Sequence, residues 1–253
     1  MQKGKIAFIT GATSGIGKAT AELFAQKGIK LILCGRREDK LELLKTELAK
    51  QTEVITLAFD VRNAEEASEK IASLTEEWRN IDILINNAGN AHGLDPIQSG
   101  NWEDWDAMMD INVKGLLYIS RIITPRMVDR KTGHIINIGS IAGKEVYPNG
   151  NVYCASKHAV DALTKGMRMD LNPYGIKVTQ IAPGLVETEF SLVRFKGDEQ
   201  RAKKVYEGFL PLTAADIADS IWYAVSAPAH VQIADLLILP TAQASAGIIK
   251  KDI

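Results

Sequence analysis

Short apolar runs alternate with longer stretches whose apolar residues recur at helical spacing, and the rhythm holds along most of the chain. Runs at Ile6 to Thr10, Leu31 to Cys34, Val54 to Phe59 and Ile83 to Asn86 are each followed by a helix-period segment. Further runs at His134 to Ile138, Lys177 to Ile181 and Leu236 to Leu239 bring the expected strand count to about seven. Runs rich in Ile, Val and Leu are what strands need when helices cover both faces of a parallel sheet. The pattern predicts an α/β fold, one doubly wound Rossmann-fold domain over residues 1–253 with helices on both faces of the sheet. Residues 187–212 interrupt the rhythm and are expected to form a lid over a site.

In this architecture ligands bind beyond the carboxyl ends of the strands, so the residues after each run belong to one surface. The first run leads into Gly11-Ala-Thr13-Ser14-Gly15-Ile16-Gly17, and then into a helix. Its glycines permit a tight turn and close approach of the backbone, while the helix start offers free N–H groups to an anion. This reads as a phosphate cradle, although the spacing is G-x-x-x-G-x-G rather than G-x-G-x-x-G. Taken alone, it also fits an ordinary strand-to-helix turn.

After the second run, Gly35 stands where an NAD site would carry an acid for the ribose, and Arg36 and Arg37 follow. Two guanidinium groups suit the 2′-phosphate of NADP. Arg37 is equally compatible with simply starting the next helix in water. Asp60 and Val61 follow the third run; Asp60 is suited either to the adenine amino group or to capping the helix that starts near Ala64. The remaining run ends carry Asn86-Asn87-Ala88-Gly89, Ser140 and Pro183-Gly184.

Tyr153 and Lys157 lie four apart in a helix-period segment and share a face. An ammonium beside a phenol favours the phenolate and is expected to draw the Tyr153 pKa down toward neutrality. Ser140, from the fifth run, is placed to hold a substrate oxygen beside that phenol, and Lys157 to reach the ribose hydroxyls of a nucleotide.

Together, Thr10-Gly-x-x-x-Gly-x-Gly17, Asn86-Asn-Ala-Gly89, Ser140, Tyr153-x-x-x-Lys157 and Pro183-Gly184 resemble the short-chain dehydrogenase/reductase family. The resemblance implies an enzyme in which Tyr153 is the acid–base and Asn112 joins Ser140, Tyr153 and Lys157 by holding a water of the proton relay. It implies that Asn87, Ala88 and Gly89 line the cofactor and that Pro183, Gly184, Val186 and Thr188 meet its nicotinamide end. On pattern alone, Asn112 also fits a polar residue in mid-helix. Ile181-Ala-Pro-Gly-Leu-Val-Glu-Thr-Glu-Phe190, Val193-Arg-Phe-Lys-Gly-Asp198 and Pro240-Thr-Ala-Gln243 are similar to the NADP-dependent 3-hydroxy acid dehydrogenases, whose substrates include serine and allo-threonine. Arg194 is then a candidate partner for a substrate carboxylate, or else a solvated surface arginine. The family also implies a homotetramer, to which the apolar segments Asp104 to Ile123 and Ala155 to Leu171 could contribute.

Composition narrows the partners. Lys plus Arg number 30 against 31 Asp plus Glu, for a formal net charge of -1, which gives no bulk reason to expect nucleic acid or an anionic membrane. A small molecule is the expected partner and the cytoplasm the expected compartment. Cys34, in an apolar run, and Cys154, in a helix-like segment, are candidate reduced core thiols, and the four histidines have no ligand-like spacing, so no metal is expected. A general carbonyl reductase, a 3-oxoacyl carrier reductase, a nucleotide-sensing protein and a sugar-nucleotide epimerase are the competing readings.

Overall fold

The computed structural model describes residues 2–252. Among these, seven parallel strands form one sheet in the order β3-β2-β1-β4-β5-β6-β7. They are β1 (Ile6–Thr10), β2 (Lys30–Gly35), β3 (Val54–Ala58), β4 (Ile83–Asn86), β5 (His134–Ile138), β6 (Lys177–Pro183) and β7 (Asp235–Ile238). The order reverses between β1 and β4, where Ala7 lies between Leu31 and Ile83.

Side chains alternate across the sheet, and both faces are buried. Ile6 and Phe8 join one core with Ile32 and Leu84, whereas Ala7 and Ile9 join the other with Leu31 and Ile83. The first core is covered by α3 (Ala64–Ala72), through Ala67 and Ile71, and by α5 (Leu116–Arg130), through Ile119, Ile123 and Met127. The second is covered by α1 (Gly15–Gln26), through Ala21 and Phe24, by α2 (Glu38–Leu48) and by α9 (Ala214–Ser226). Burial on two sides is why the strands read as continuous apolar runs. β7 departs from this: it ends the sheet, its positions alternate between exposed and half-buried, and Leu237 is open to solvent.

The helix expected over Asp104 to Ile123 is part of a longer rod made of α4 (Trp102–Met109), a π-helical turn at Asp110–Gly115 and α5. π turns insert one residue into an α-helix and often mark functional positions. Asn112 lies in this one. The next long helix, α6 (Asn151–Leu171), carries Tyr153 and Lys157. α3 is capped by Asn63, whose side chain accepts from the Glu66 N–H at 3.1 Å, so Asp60 is not the cap.

Residues 187–212 are not structureless. They hold α7 (Phe190–Arg194) and α8 (Glu199–Lys204), and their base is stapled where Glu187 N–H donates to Leu212 O at 2.8 Å and Leu212 N–H to Leu185 O at 3.0 Å. Cys34 and Cys154 are buried free thiols, and burial pushes the Cys34 thiol well above its ordinary range. No helix among the described residues is long and apolar enough to cross a membrane, and no cluster of potential metal ligands occurs among them.

The glycine turn is tightly packed. A Cβ on Gly17 would lie 2.3 Å from Gly11 O and 2.5 Å from Asn87 Nδ2. We expect Gly17→Ala to cost about 2 kcal/mol of stability, typical of forcing one carbon into a filled site, read as a lower denaturation midpoint in the cofactor-free protein. An unchanged midpoint would mean that the turn relaxes freely.

Candidate active site

The turn and the loop after β4 are knotted together at the switch in strand order. The Thr10 hydroxyl accepts from the N–H groups of Asn87 and Ala88 at 3.0 and 2.9 Å, and Asn87 Nδ2 donates to Thr10 O at 2.9 Å and Gly11 O at 3.2 Å. Beside this knot opens a cavity of about 630 Å³.

The wall of the cavity gathers most residues expected at the strand ends. Gly11, Thr13, Ser14, Gly15 and Ile16 line it, as do Arg36, Arg37, Asp60 and Val61. Asn87, Ala88 and Gly89 follow, then Ser140, Tyr153, Lys157, Pro183, Gly184, Val186, Thr188 and Arg194. Two residues stand behind the wall rather than in it. Gly17 packs under the turn, and Asn112, 2% exposed, accepts from Asn90 N–H and donates through Nδ2 to Asn90 O and Ser156 Oγ. Both amide donors of Asn112 are committed to protein, which leaves its side chain no donor for a water.

The glycine-rich end fits a phosphorylated nucleotide. No side chain among the described residues caps α1, and no acid occupies its first turn, so the N–H groups at Gly15 and Ile16 remain for an anion. Arg37 is not a free surface side chain: its Nε and Nη2 donate to Thr13 Oγ1 at 3.2 and 2.9 Å, and its Nη1 to Glu189 at 3.2 Å. Arg36 is exposed and lies 3.8 Å from Asp60. Burial alone would raise the Asp60 pKa, but hydrogen bonds from Arg62 and the charges of Arg62 and Arg36 hold it below the carboxylate range.

At the other end, Ser140 follows β5 and is fixed by the strand end. Its Oγ accepts from Ala142 N–H at 3.0 Å and donates to Pro183 O at 3.4 Å. Tyr153 is buried, with its ring 5.7 Å from that of Phe190 in an edge-on contact. Burial, reinforced by Tyr147, pushes the phenol above its ordinary pKa, while Ser140 and Arg194 pull it down. This corrects the expectation that Lys157 draws it to neutrality. Lys157 Nζ instead donates to Ile138 O at 3.0 Å and lies 5.9 Å from the Tyr153 ring centre.

Arg194, in α7, is part of the cavity rather than the surface. Nε donates to Gly93 O at 3.1 Å and Nη2 to Tyr147 OH at 3.0 Å, with the guanidinium 5.5 Å from the Tyr153 ring centre. Tyr147, Glu189, Phe190 and Gln243 line the cavity although the strand ends do not point to them. Tyr147 lies in a loop with no periodicity; the one local signal is Gly150, where a Cβ would come within 2.2 Å of the Tyr147 ring. Gln243 accepts from Leu185 N–H at 2.9 Å and fills the space over Gly184.

Comparison with known proteins places the chain in a family. The model of the short chain dehydrogenase family matches residues 5–198. The chain is 47% identical to the NADP-dependent 3-hydroxy acid dehydrogenase of Salmonella typhi over 96% of its own length and 98% of that protein. It is 41% identical to the serine 3-dehydrogenase of Rhizobium radiobacter, over 94% and 95% of the two chains. Its fold superposes on the closed form of a serine dehydrogenase complexed with NADP+ with a TM-score of 0.92 and 45% identity, covering 98% of this chain and 100% of the other.

Burial brings Lys157 down to about 8, whereas the side chain titrates near 10.4 when unfolded. Its charge therefore costs the folded state stability below pH 8, and the cost fades as pH rises from about 8 to 10. Lys157→Met is expected to stabilise the cofactor-free protein at pH 7 by roughly 2 kcal/mol, with a margin that shrinks toward pH 10. Denaturant midpoints at the two pH values check this; an equal margin at both would refute it.

Proposed function

Because the chain belongs to the short-chain dehydrogenase family, we propose that it is an NADP-dependent oxidoreductase acting on small 3-hydroxy acids. Serine, allo-threonine and 3-hydroxyisobutyrate are the substrate type, reacting at the 3-hydroxyl or 3-oxo carbon. Bound NADP supplies the hydride acceptor or donor at its nicotinamide. The chain supplies the proton and holds the substrate.

Tyr153 is the acid–base. Burial keeps its phenol protonated in the resting protein, which readies it to donate to a carbonyl oxygen in the reductive direction. In the oxidative direction it takes the hydroxyl proton, a step favoured by the guanidinium of Arg194 beside it. Ser140 presents its hydroxyl to the same substrate oxygen, and Lys157 orients the nucleotide ribose. Asn112 serves from behind the wall by fixing Asn90 and the start of the loop beyond Gly89. At the nucleotide end, the glycine turn receives the pyrophosphate, Arg36 and Arg37 the 2′-phosphate, and Asp60 and Val61 the adenine side. Pro183, Gly184, Val186 and Thr188 flank the nicotinamide.

The observation that carries the acid-specific reading is Arg194. Its guanidinium stands over the Tyr153 ring in the reaction cavity, and two of its five donors are tied down by Gly93 and Tyr147. A pre-oriented guanidinium with donors to spare suits a carboxylate two carbons from the reacting centre. A neutral carbonyl reductase or a 3-oxoacyl carrier reductase has no use for that charge. Residues 187–212 act as the lid, hinged at the staple between Glu187 and Leu212.

Self-association as a homotetramer is supported by apolar residues exposed on the long rod, on α9 and on the edge strand β7, among them Trp102, Leu117, Tyr223 and Leu237. The buried free thiols suit a reducing cytoplasm.

Initial rates with NADP and NAD, using L-serine, 3-hydroxyisobutyrate and a simple secondary alcohol, test the reading. NADP with the hydroxy acids is expected to win. Arg194→Ala should raise KM for the acids by about 100-fold, equivalent to losing charged hydrogen bonds worth 2 to 3 kcal/mol. The neutral alcohol should lose only the smaller cost of a looser lid. An equal loss for acid and alcohol would end the carboxylate assignment.

A further inference from the structure

Ion pairs at the mouth of the cavity join Arg37 to two residues without a role so far, Glu189 and Lys40. Glu189 precedes α7. One oxygen of its carboxylate accepts from Arg37 Nη1 at 3.2 Å, and the other lies 3.7 Å from Lys40 Nζ. Arg37 is braced by Thr13 in the glycine turn, so this one carboxylate ties the segment 187–212 to the phosphate cradle. Thr188 confirms the proximity: a Cβ on Gly15 would lie 3.4 Å from its side chain.

Arg37 and Lys40 are one helical turn apart, beside the Gly35 position that lacks an acid. We propose that Glu189 occupies the anion position of the 2′-phosphate pocket in the cofactor-free protein, so that its carboxylate and the cofactor's 2′-phosphate compete for Arg37 and Lys40. The inference rests on the NADP reading above and adds Lys40 to the phosphate-binding set. Two cations facing one carboxylate leave a net positive charge, which attracts a phosphate dianion that can then displace the weaker monoanion.

The exposure of the pair suits exchange. The side chains of Arg37, Lys40 and Glu189 are 40%, 42% and 49% exposed, so water and salt screen the contact and its rupture strands no buried charge. Burial alone would raise the Glu189 pKa, yet the Arg37 hydrogen bond, the charges of Arg37 and Lys40 and the Ser14 hydroxyl hold it below the carboxylate range. Glu189 is thus an anion throughout the neutral range.

Competition at Glu189 has a mechanical consequence. α7 runs five residues, roughly 7 Å, from Glu189 toward Arg194, which is bound to Gly93 and Tyr147 at the substrate end. Displacing Glu189 frees the nucleotide-side tether of the lid while the substrate-side tether stays. A nucleotide without a 2′-phosphate leaves Glu189 in place. Glu189 is therefore a specificity residue that couples lid release to the phosphorylated cofactor.

Equilibrium titration of NADPH and NADH by their fluorescence, in wild type, Glu189→Gln and Glu189→Asp, tests this. Glu189→Gln is expected to tighten NADPH about five-fold and NADH less than about two-fold, the scale of one exposed ion pair. Glu189→Asp, which keeps the charge and shortens its reach, should fall between. Limited trypsin digestion of the cofactor-free protein supplies a second readout: cleavage within 196–204 should be faster in Glu189→Gln than in wild type, because the tether is gone. If wild type does not prefer NADPH, the NADP reading itself fails. If it does, but Glu189→Gln alters the two nucleotides equally, alters neither or weakens NADPH, the competition is refuted and the NADP reading stands. Unchanged trypsin sensitivity would refute the tether.

Discussion

The constraint on which the structure depends is that a parallel sheet with helices on both faces has no surface for function except its edges and strand ends. Ile6 to Ile9, Leu31 to Cys34 and Ile83 to Ile85 are wholly committed to the two cores. The polar backbone released at the ends of those strands must find partners, and at the switch between β1 and β4 it does so through Thr10 and Asn87. That knot holds the turn at Gly11 against Ala88 and leaves the cavity where it is. Its members do no chemistry, yet they set the distance between the two strand ends that the cavity spans.

Much of this was legible because both cores impose a pattern on the sequence. The strand positions were readable from continuous apolar runs, and the ends of those runs named most of the cavity wall. The π turn at Asp110–Gly115 was not readable, since its apolar spacing resembles that of the helices on either side. It matters because Asn112, a polar residue in the middle of the rod, is buried there against Asn90 and Ser156. Tyr147 escaped for another reason. It belongs to a loop, where no period exists to mark which residues face inward, and its place is fixed by a distant partner, Arg194. The edge strand β7 shows the same rule from the other side: with one face open, its apolar signal is short and its limits shift by a residue.

The Tyr153 phenol shows where a local spacing rule gives the wrong sign. Four residues of separation do bring Lys157 to the same face, but its Nζ stays 5.9 Å from the ring centre and binds Ile138 O. Desolvation then dominates both groups. It raises the phenol and lowers the ammonium, so each is driven toward its neutral form. A buried pair of this kind is dear to the folded state and responsive to any new charge nearby, which is a useful property in a site whose ligands are themselves charged.

The cations around the cavity share one arrangement, and it joins the two ends of the site. Arg37 is answered by Thr13 and Glu189, Arg36 by Asp60, Lys157 by Ile138 O, and Arg194 by Gly93 O and Tyr147 OH. Each group that a phosphate, ribose or carboxylate needs is thus already aimed, with protein atoms answering it. Orientation cost is met during folding, so less is left to be met on binding. The partners are graded: carbonyls and hydroxyls at Lys157 and Arg194, where aim must be kept during reaction, and carboxylates at the exposed Arg36 and Arg37, where ligand must come and go. An exposed ion pair is cheap to break, whereas a buried hydrogen bond to a cation is not. The gradient from mouth to reaction centre therefore follows from dielectric alone, and it separates the part of the site that exchanges from the part that holds still.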